Sequence, residues 1–234
     1  PAYNDAATIA GLIDKADRAA RQVSDDYEII VVNDGSRDDT AAVLERLRET
    51  QPCLRVVTHQ RNRGYGGALR SGFAAARHEW LFYTDGDGQY DPGELSRLVD
   101  ALAPGVDVVN GFKRRRGDSW VRIGLGAIYN TMVRALFGLR IRDVDCDFRL
   151  IRRQALDRLT LVSDSGAICV ELVRKLQDLG ARFAEAPVSP YHRRHGRSQF
   201  FTVPRVARTA SQLVRLWWTL IRKNRVSVRQ HELG

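Results

Sequence analysis

The chain has 234 residues, 44% of them hydrophobic, enough to bury one sizeable core and to exclude a mainly disordered chain. Lysine and arginine number 37 against 28 acids, a formal charge of +9 that favours polyanionic partners in general, from diphosphates to anionic lipid to nucleic acid. Cys53, Cys146 and Cys169 are odd in number and widely spaced, which excludes a CxxC zinc site and an even disulfide framework and fits a reducing, cytosolic setting.

The sequence opens at Pro1 with no methionine and no secretory leader, so further residues ahead of it are expected. In chain order, residues 28–33 form a continuous apolar run of strand length. It ends in the turn residues Asp34, Gly35 and Ser36, which predicts a buried parallel strand. From Asp38 the apolar residues Val43, Leu44 and Leu47 take helical spacing opposite Glu45, Arg46 and Arg48, completing a βα unit. Residues 54–58 and 80–84 are two further strand candidates, separated by a small-residue helix over 64–76. The alternation predicts an α/β fold with a mostly parallel sheet flanked by helices.

Asp91, Pro92 and Glu94 supply an N-cap acid, a first-turn proline and a capping glutamate ahead of Leu95 and Leu98. Beyond them the pattern predicts a strand at 106–110, a helix at 120–137, an extended segment at 148–151, a helix at 168–179 and a short strand at 183–187. A last helix, 203–223, is interrupted by Arg205, Arg208 and Arg215, so it lacks an uncharged run near the roughly 20 residues that span a bilayer. Arg208, Arg215 and Arg222 share one face, with Leu213, Leu216, Trp217 and Leu220 elsewhere. Such a helix either lies in a lipid headgroup layer or packs on the domain with its arginines solvated.

The most specific chemistry lies just past residues 80–84, where Asp85, Asp87, Gln89 and Asp91 occupy alternate positions. In open α/β sheets, ligands gather at the carboxyl ends of strands. Carboxylates spaced by glycines can offer oxygen ligands to a hard cation that keeps positions open for phosphate oxygens. Mg2+ or Mn2+ bridging a diphosphate is therefore the expected occupant. A calcium loop is excluded, because Tyr90 stands where that loop needs glycine and Ser96 where it needs a bidentate glutamate. Helix capping accounts for Asp91 and leaves Asp85, Asp87 and Gln89 together unexplained. There is no Walker-type phosphate loop, and Gly64, Gly66 and Gly67 lack the final glycine of the dinucleotide fingerprint.

Taken together, these motifs resemble the GT-A inverting glycosyltransferases of family 2, and within them the dolichyl- and polyprenyl-phosphate sugar transferases. The resemblance covers nearly all of residues 1–200, leaving 201–234 as a basic amphipathic helix and tail. Pro1, Ala2, Tyr3, Asn4 and Asp5 are similar to the family's opening motif, with Asp5 where glutamate is usual. That motif follows a first strand, which is accordingly expected ahead of Pro1.

The resemblance implies that Pro1, Tyr3 and Asp5 line a nucleotide pocket, that Asp34 faces the base or ribose, and that Asp85, Asp87 and Gln89 hold the metal and diphosphate. Gly64, Gly66 and Gly67 would permit close helix packing near the nucleotide, as a binding feature or as packing alone. Phe148, Arg149 and Leu150, preceded by Asp143 and Asp147, resemble the segment near the acceptor. Asp147 is the implied general base, or else a partner of Arg149. Arg193, Arg197 and Ser198 resemble an Arg-x-x-Gly-x-Ser loop that closes over the donor diphosphate, with Gln199 where lysine is common. Lys113, Arg116, Arg122, Asn130 and Arg149 resemble the groups that receive the acceptor phosphate, with Gly126 where serine is frequent.

The activity so implied is transfer of a hexose, of mannose or glucose type, from a GDP- or UDP-linked donor to a polyprenyl phosphate. The protein would be peripheral, on the cytoplasmic face of a membrane. The rival expectations are a polysaccharide or protein acceptor, a metal-dependent nucleotidyltransferase that releases pyrophosphate, and a basic nucleic-acid-binding module. The last is disfavoured because the arginines cluster beside acidic motifs, so no nucleic-acid partner is expected.

Overall fold

A computed structural model describes residues 1–86, 88–113, 120–189 and 203–223, with side chains throughout except at 120–123, 125, 203–205, 222 and 223. The strands are β1 (Ile29–Asn33), β2 (Leu54–Thr58), β3 (Trp80–Thr84), β4 (Val108–Lys113), β5 (Phe148–Arg152) and β6 (Phe183–Val188). The helices are α1 (Ile9–Val23), α2 (Thr40–Thr50), α3 (Tyr65–Ala75), α4 (Leu95–Asp100), α5 (Trp120–Phe137), α6 (Arg153–Leu156), α7 (Ala167–Asp178) and α8 (Val203–Trp217). A 3-10 turn over Pro92–Glu94 precedes α4, and π-helical turns over Trp218–Lys223 extend α8.

Helix α1 was not expected. Its buried residues Ile9, Ile13 and Ala19 keep helical spacing, while charged and small residues fill the other faces. Asp91 caps as anticipated, its carboxylate accepting the Gly93 N–H at 3.1 Å. Glu94 corrects the capping-box expectation: its carboxylate accepts the Ser189 N–H at 2.7 Å and pairs with Arg97 at 2.8 Å, tying the start of α4 to the end of β6.

Strands β1 and β2 pair in parallel, as do β4 and β6, whereas β5 runs antiparallel to both its neighbours, β3 and β4. The order β3-β5-β4-β6 buries β4 and β5 on both faces, which is why Val108, Val109, Leu150 and Ile151 are all apolar. Val109, Phe148 and Leu150 join Leu95 and Leu98 of α4 on one face; Val108 and Ile151 join Ile168, Leu172 and Leu176 of α7 on the other. Each fully buried side chain of this kind contributes about 1.5–3 kcal/mol.

A third cluster joins Val133 and Phe137 of α5, Val170 and Val173 of α7, and Leu216 of α8, with Leu213 and Trp217 packed against it. Helix α8 is therefore packed on the domain. Its opposite side exposes Val206, Val214 and Trp218, with Arg208 and Arg215 also in solvent. Among the described residues, no helix is long and apolar enough to cross a membrane.

A cavity of about 630 Å³ lies between β1 and β3 and is lined mainly by apolar residues such as Ile13, Ile30, Val32, Leu81 and Phe82. Among the described residues β1 pairs only with β2 and β3 only with β5, apart from a single parallel bridge from Ala2 to Asn33. The cavity is a gap in the sheet, and Pro1 lines it together with Thr84 and Gly86, the residues on either side of Asp85 in the chain.

Candidate active site

Reversal of β5 builds the centre of the site. In the β3–β5 register Thr84 faces Phe148, so the next residues outward, Asp85 and Asp147, leave the sheet side by side although 62 positions separate them in the sequence. Tyr65, the first residue of α3, stands within the field of both: burial, then Asp147, then Asp85 raise its phenol well above the ordinary range, so it remains a protonated donor. Asp147 also accepts the thiol of Cys169 at 3.1 Å from the first turn of α7. That thiol is itself pushed up, by burial first and Asp147 second, so it stays protonated.

The N-terminal segment closes one side. Ala2 N–H donates to Val32 O at 2.8 Å and Asp34 N–H donates to Ala2 O at 2.9 Å, so the segment continues the sheet ladder beside β1. Asp5 turns back to accept the Tyr3 N–H at 2.9 Å, while the Asn4 N–H reaches Ser36 Oγ at 3.0 Å and the Arg37 N–H reaches Asn4 Oδ1 at 2.8 Å. Asn4 takes a φ of 58°, a left-handed conformation that asparagine tolerates better than most residues. Gly86 lies against this segment: a Cβ there would stand 2.6 Å from Pro1 O and 3.2 Å from Asp5 Oδ2. The structure thus brings Pro1, Tyr3, Asp5, Asp85 and Asp147 to one end of the sheet.

Two of the expected site residues are buried and bonded within the protein. Asp34 is buried, and its carboxylate accepts the Arg63 N–H at 2.8 Å, the Gly64 N–H at 3.0 Å and His59 Nδ1 at 2.6 Å. A carboxylate only accepts, so Nδ1 carries the proton, and His59 Nε2 takes the Ser71 hydroxyl at 2.9 Å. Asp34 therefore ties the ends of β1 and β2 to the glycine turn.

Arg149, expected to hold the acceptor phosphate, is 0% exposed. Its guanidinium donates to Asn110 Oδ1 on β4, to the Tyr83 hydroxyl on β3 and to Val144 O, so it is consumed in bracing the 143–147 loop. Asn130 braces the same loop: its amide donates to Arg142 O at 2.7 Å and its carbonyl accepts the Val144 N–H at 3.1 Å.

Asp145 was missed by sequence reasoning. Burial, then Asp147, push its carboxyl up to about 7; Lys113 and Arg149 pull the other way, and Asp143 adds to the rise. His59 and Tyr65 were also missed, the first a lone histidine after a strand, the second a tyrosine among glycines. Asp87, Arg116, Arg193, Arg197 and Ser198 lie outside the described residues, as does the side chain of Arg122.

Asp85, with Asp147 beside it, offers hard oxygen donors. Mg2+ or Mn2+ fits such a set, because it takes only one or two protein carboxylates when water and phosphate complete its shell. Among the described residues, no three His, Cys, Asp or Glu side chains form a complete cage.

A layered α/β sheet whose strand ends gather carboxylates around a glycine turn suits the GT-A fold, and solved structures show that fold. Glucosyl-3-phosphoglycerate synthase from Mycobacterium tuberculosis, crystallised with Mn2+, UDP and phosphoglyceric acid, superposes with a TM-score of 0.71 over 94% of this chain and 75% of its own, at 21% identity. The same synthase with Mn2+ and UDP-glucose gives 0.70.

More narrowly, the chain belongs to glycosyl transferase family 2, whose family model matches residues 1–160. It is 30% identical to the undecaprenyl-phosphate 4-deoxy-4-formamido-L-arabinose transferase of Aeromonas hydrophila over 201 residues, 86% of this chain and 61% of that protein. The transferase of the same description from Serratia proteamaculans is 34% identical over 161 residues, 68% of this chain and 49% of its own length. The chain thus spans about half to three fifths of the length of these relatives.

Proposed function

We propose that this chain carries the catalytic domain of an enzyme that moves a sugar from a nucleoside diphosphate to a polyprenyl phosphate, inverting the anomeric carbon by a single displacement. The observation that carries this reading is the meeting of Asp85 and Asp147 at the end of the β3–β5 pair, next to the Pro1–Asp5 segment and the glycine turn. Family membership and the activity named for the relatives support it.

Mg2+ or Mn2+, held by Asp85, Asp87 and Gln89, would neutralise charge on the leaving diphosphate. Arg193, Arg197 and Ser198 would close over that diphosphate, while Arg116 and Arg122 hold the acceptor phosphate in line with the anomeric carbon. A phosphate monoester is already anionic at neutral pH, so Asp147 orients the acceptor more than it activates it. Residues 1–200 form the catalytic unit in this reading, and the gap between β1 and β3 is the place for the strand expected ahead of Pro1.

The donor is a GDP- or UDP-linked hexose of mannose or glucose type, with the aminopentose named for the relatives as the competing sugar. The exposed stripe of Val206, Val214 and Trp218 with Arg208 and Arg215 suits α8 to lie on an anionic leaflet, consistent with a peripheral protein on the cytoplasmic face.

The test is a panel of GDP- and UDP-sugars with Mn2+ and a polyprenyl phosphate, followed by analysis of products. Release of a nucleoside diphosphate with a new sugar phosphodiester supports the reading, and Asp87→Asn should nearly abolish it while leaving the fold intact. Pyrophosphate released from a nucleoside triphosphate, or full activity in Asp87→Asn, would overturn it.

A further inference from the structure

Residues 162–165 lie between the glycine turn and α8 and belong to no motif. Asp164 meets α8 through its side chain: Oδ1 accepts the Gln212 amide and Oδ2 the Arg208 guanidinium. Ser165 doubles the attachment, since its N–H and hydroxyl both donate to Gln212 Oε1, at 3.2 and 2.7 Å. Behind them the buried carboxylate of Glu171 accepts the Val162 and Ser163 N–H groups at 2.9 and 2.8 Å.

On its other side this strap carries the glycine turn. Asp164 O accepts the Gly66 N–H at 3.1 Å, and Ser163 O accepts the Arg70 guanidinium of α3. A Cβ on Gly64 would collide with Asp164 O, and one on Gly66 with Ser163 O, so the two backbones touch directly. The Gly64 N–H points the opposite way, to the Asp34 carboxylate at 3.0 Å. The turn is therefore clamped between Asp34 and Asp164, and Tyr65 is the residue it holds out toward Asp85 and Asp147.

We infer that Asp164 is a positioning residue: by fastening the 162–165 strap to Gln212 and Arg208 of α8, it sets the glycine turn and Tyr65 against the Asp85–Asp147 pair. Donor turnover thereby depends on the seating of α8. The Arg208 contact is a partly exposed ion pair and a weak tether by itself, whereas the reciprocal Gln212 bonds to Asp164 and Ser165 fix direction as well as distance. The inference rests on reading the Asp85–Asp147 end as the site of transfer.

Two readouts separate the coupling from its consequence. Amide hydrogen exchange at residues 64–66 should accelerate in Asp164→Ala and in Gln212→Ala relative to the parent chain. In steady-state kinetics, with UDP- or GDP-sugar varied at fixed Mn2+ and polyprenyl phosphate, both variants should lose about tenfold in kcat/KM for the donor, the loss expected when one charge-assisted hydrogen bond goes. The KM for the acceptor should move less than twofold.

Asp164→Asn keeps an acceptor oxygen toward Gln212 and should recover most of the loss. Gln212→Ala removes the α8 partner and leaves every residue of the strap itself unchanged, so it stays informative if Asp164→Ala does not fold. Unchanged exchange, or faster exchange with unchanged donor kinetics, overturns the positioning role. If the parent chain turns over no sugar nucleotide, the reading of the site fails, and the exchange experiment still decides whether α8 holds the turn.

Discussion

Replacing Arg149 with methionine separates a structural guanidinium from a substrate-binding one. Methionine keeps the apolar stem as far as the Nε position, so the change removes the three bonds to Asn110 Oδ1, the Tyr83 hydroxyl and Val144 O and leaves only the place of the guanidinium to be refilled. The Tyr83 hydroxyl can rotate to a new partner, while the two carbonyl oxygens are stranded in the core at about 1–3 kcal/mol each. Deleting a buried charge offsets part of this. Burial opposes that charge, while the groups around it raise the guanidinium pKa above its ordinary value, Asp147 being the carboxylate among them, so Arg149 stays charged. A net destabilisation of about 2–4 kcal/mol follows. Urea unfolding followed by tryptophan fluorescence would record it as a midpoint lowered by roughly 1 M. Because Arg149 pulls the Asp145 carboxyl down, the Asp145 titration should also move above about 7 in the variant. An unchanged midpoint with a selectively raised KM for the acceptor phosphate would refute this account and return Arg149 to the acceptor site.

Gly66→Ala places a methyl group against Ser163 O, so its melting temperature should fall by about 5 °C and donor turnover should fall with it; a parent-like melting curve would contradict the close approach. The Glu171 carboxyl is opposed by burial but held below its ordinary value by Lys175 and the Ser163 and Val162 N–H groups. A depressed folded pKa contributes stability above the unfolded value of about 4.3 and loses it as pH falls through the folded value. Glu171→Gln should accordingly melt below the parent at pH 7, with the two curves converging below about pH 4. Chelation of divalent metal should stop transfer, with recovery on adding Mn2+ or Mg2+, and should leave the melting temperature of the donor-free protein unchanged. A large loss of stability on chelation would mean that the metal also holds the fold.

Most of the fold was legible because burial leaves a local trace. β2 and β3 are short apolar runs that end where the strands end, and α5 begins and ends at the expected residues. Helix α1 keeps the same period, but alanine and charged residues fill most of IAGLIDKADRAARQV, so only three buried positions carry the signal. What could not be read is the direction of β5. The run Phe148–Arg152 looks alike in either orientation, and only its pairing with Trp80–Thr84 and Val108–Asn110 decides it. The two readings of α8 also turn on tertiary contact: Leu216 docks in the cluster of Val133 and Val170, while Val206 and Val214 remain outside, so the helix packs on the domain and still offers an apolar surface.

The site was legible in its residue types and less so in their assignments, because a sequence records a charge without recording what neutralises it. Asp34 and Arg149 carry the charges a nucleotide and a phosphate would need, yet each is buried with its bonding capacity turned to the protein itself. Asp145 is the opposite case. It stands two residues from Asp147 in no recognised pattern, and the fold surrounds it with Asp143, Asp147 and Lys113 so that its proton is exchangeable near neutrality. The antiparallel course of β5 accounts for the site's core: it brings Asp147 up beside Asp85 and inserts Arg149 between Tyr83 and Asn110. Pinning the Arg149 cation beneath the 143–147 loop also tempers the crowding of acids there: burial and Asp147 push the Asp145 carboxyl up, Lys113 and Arg149 pull it down, and without the guanidinium Asp145 would hold its proton more tightly.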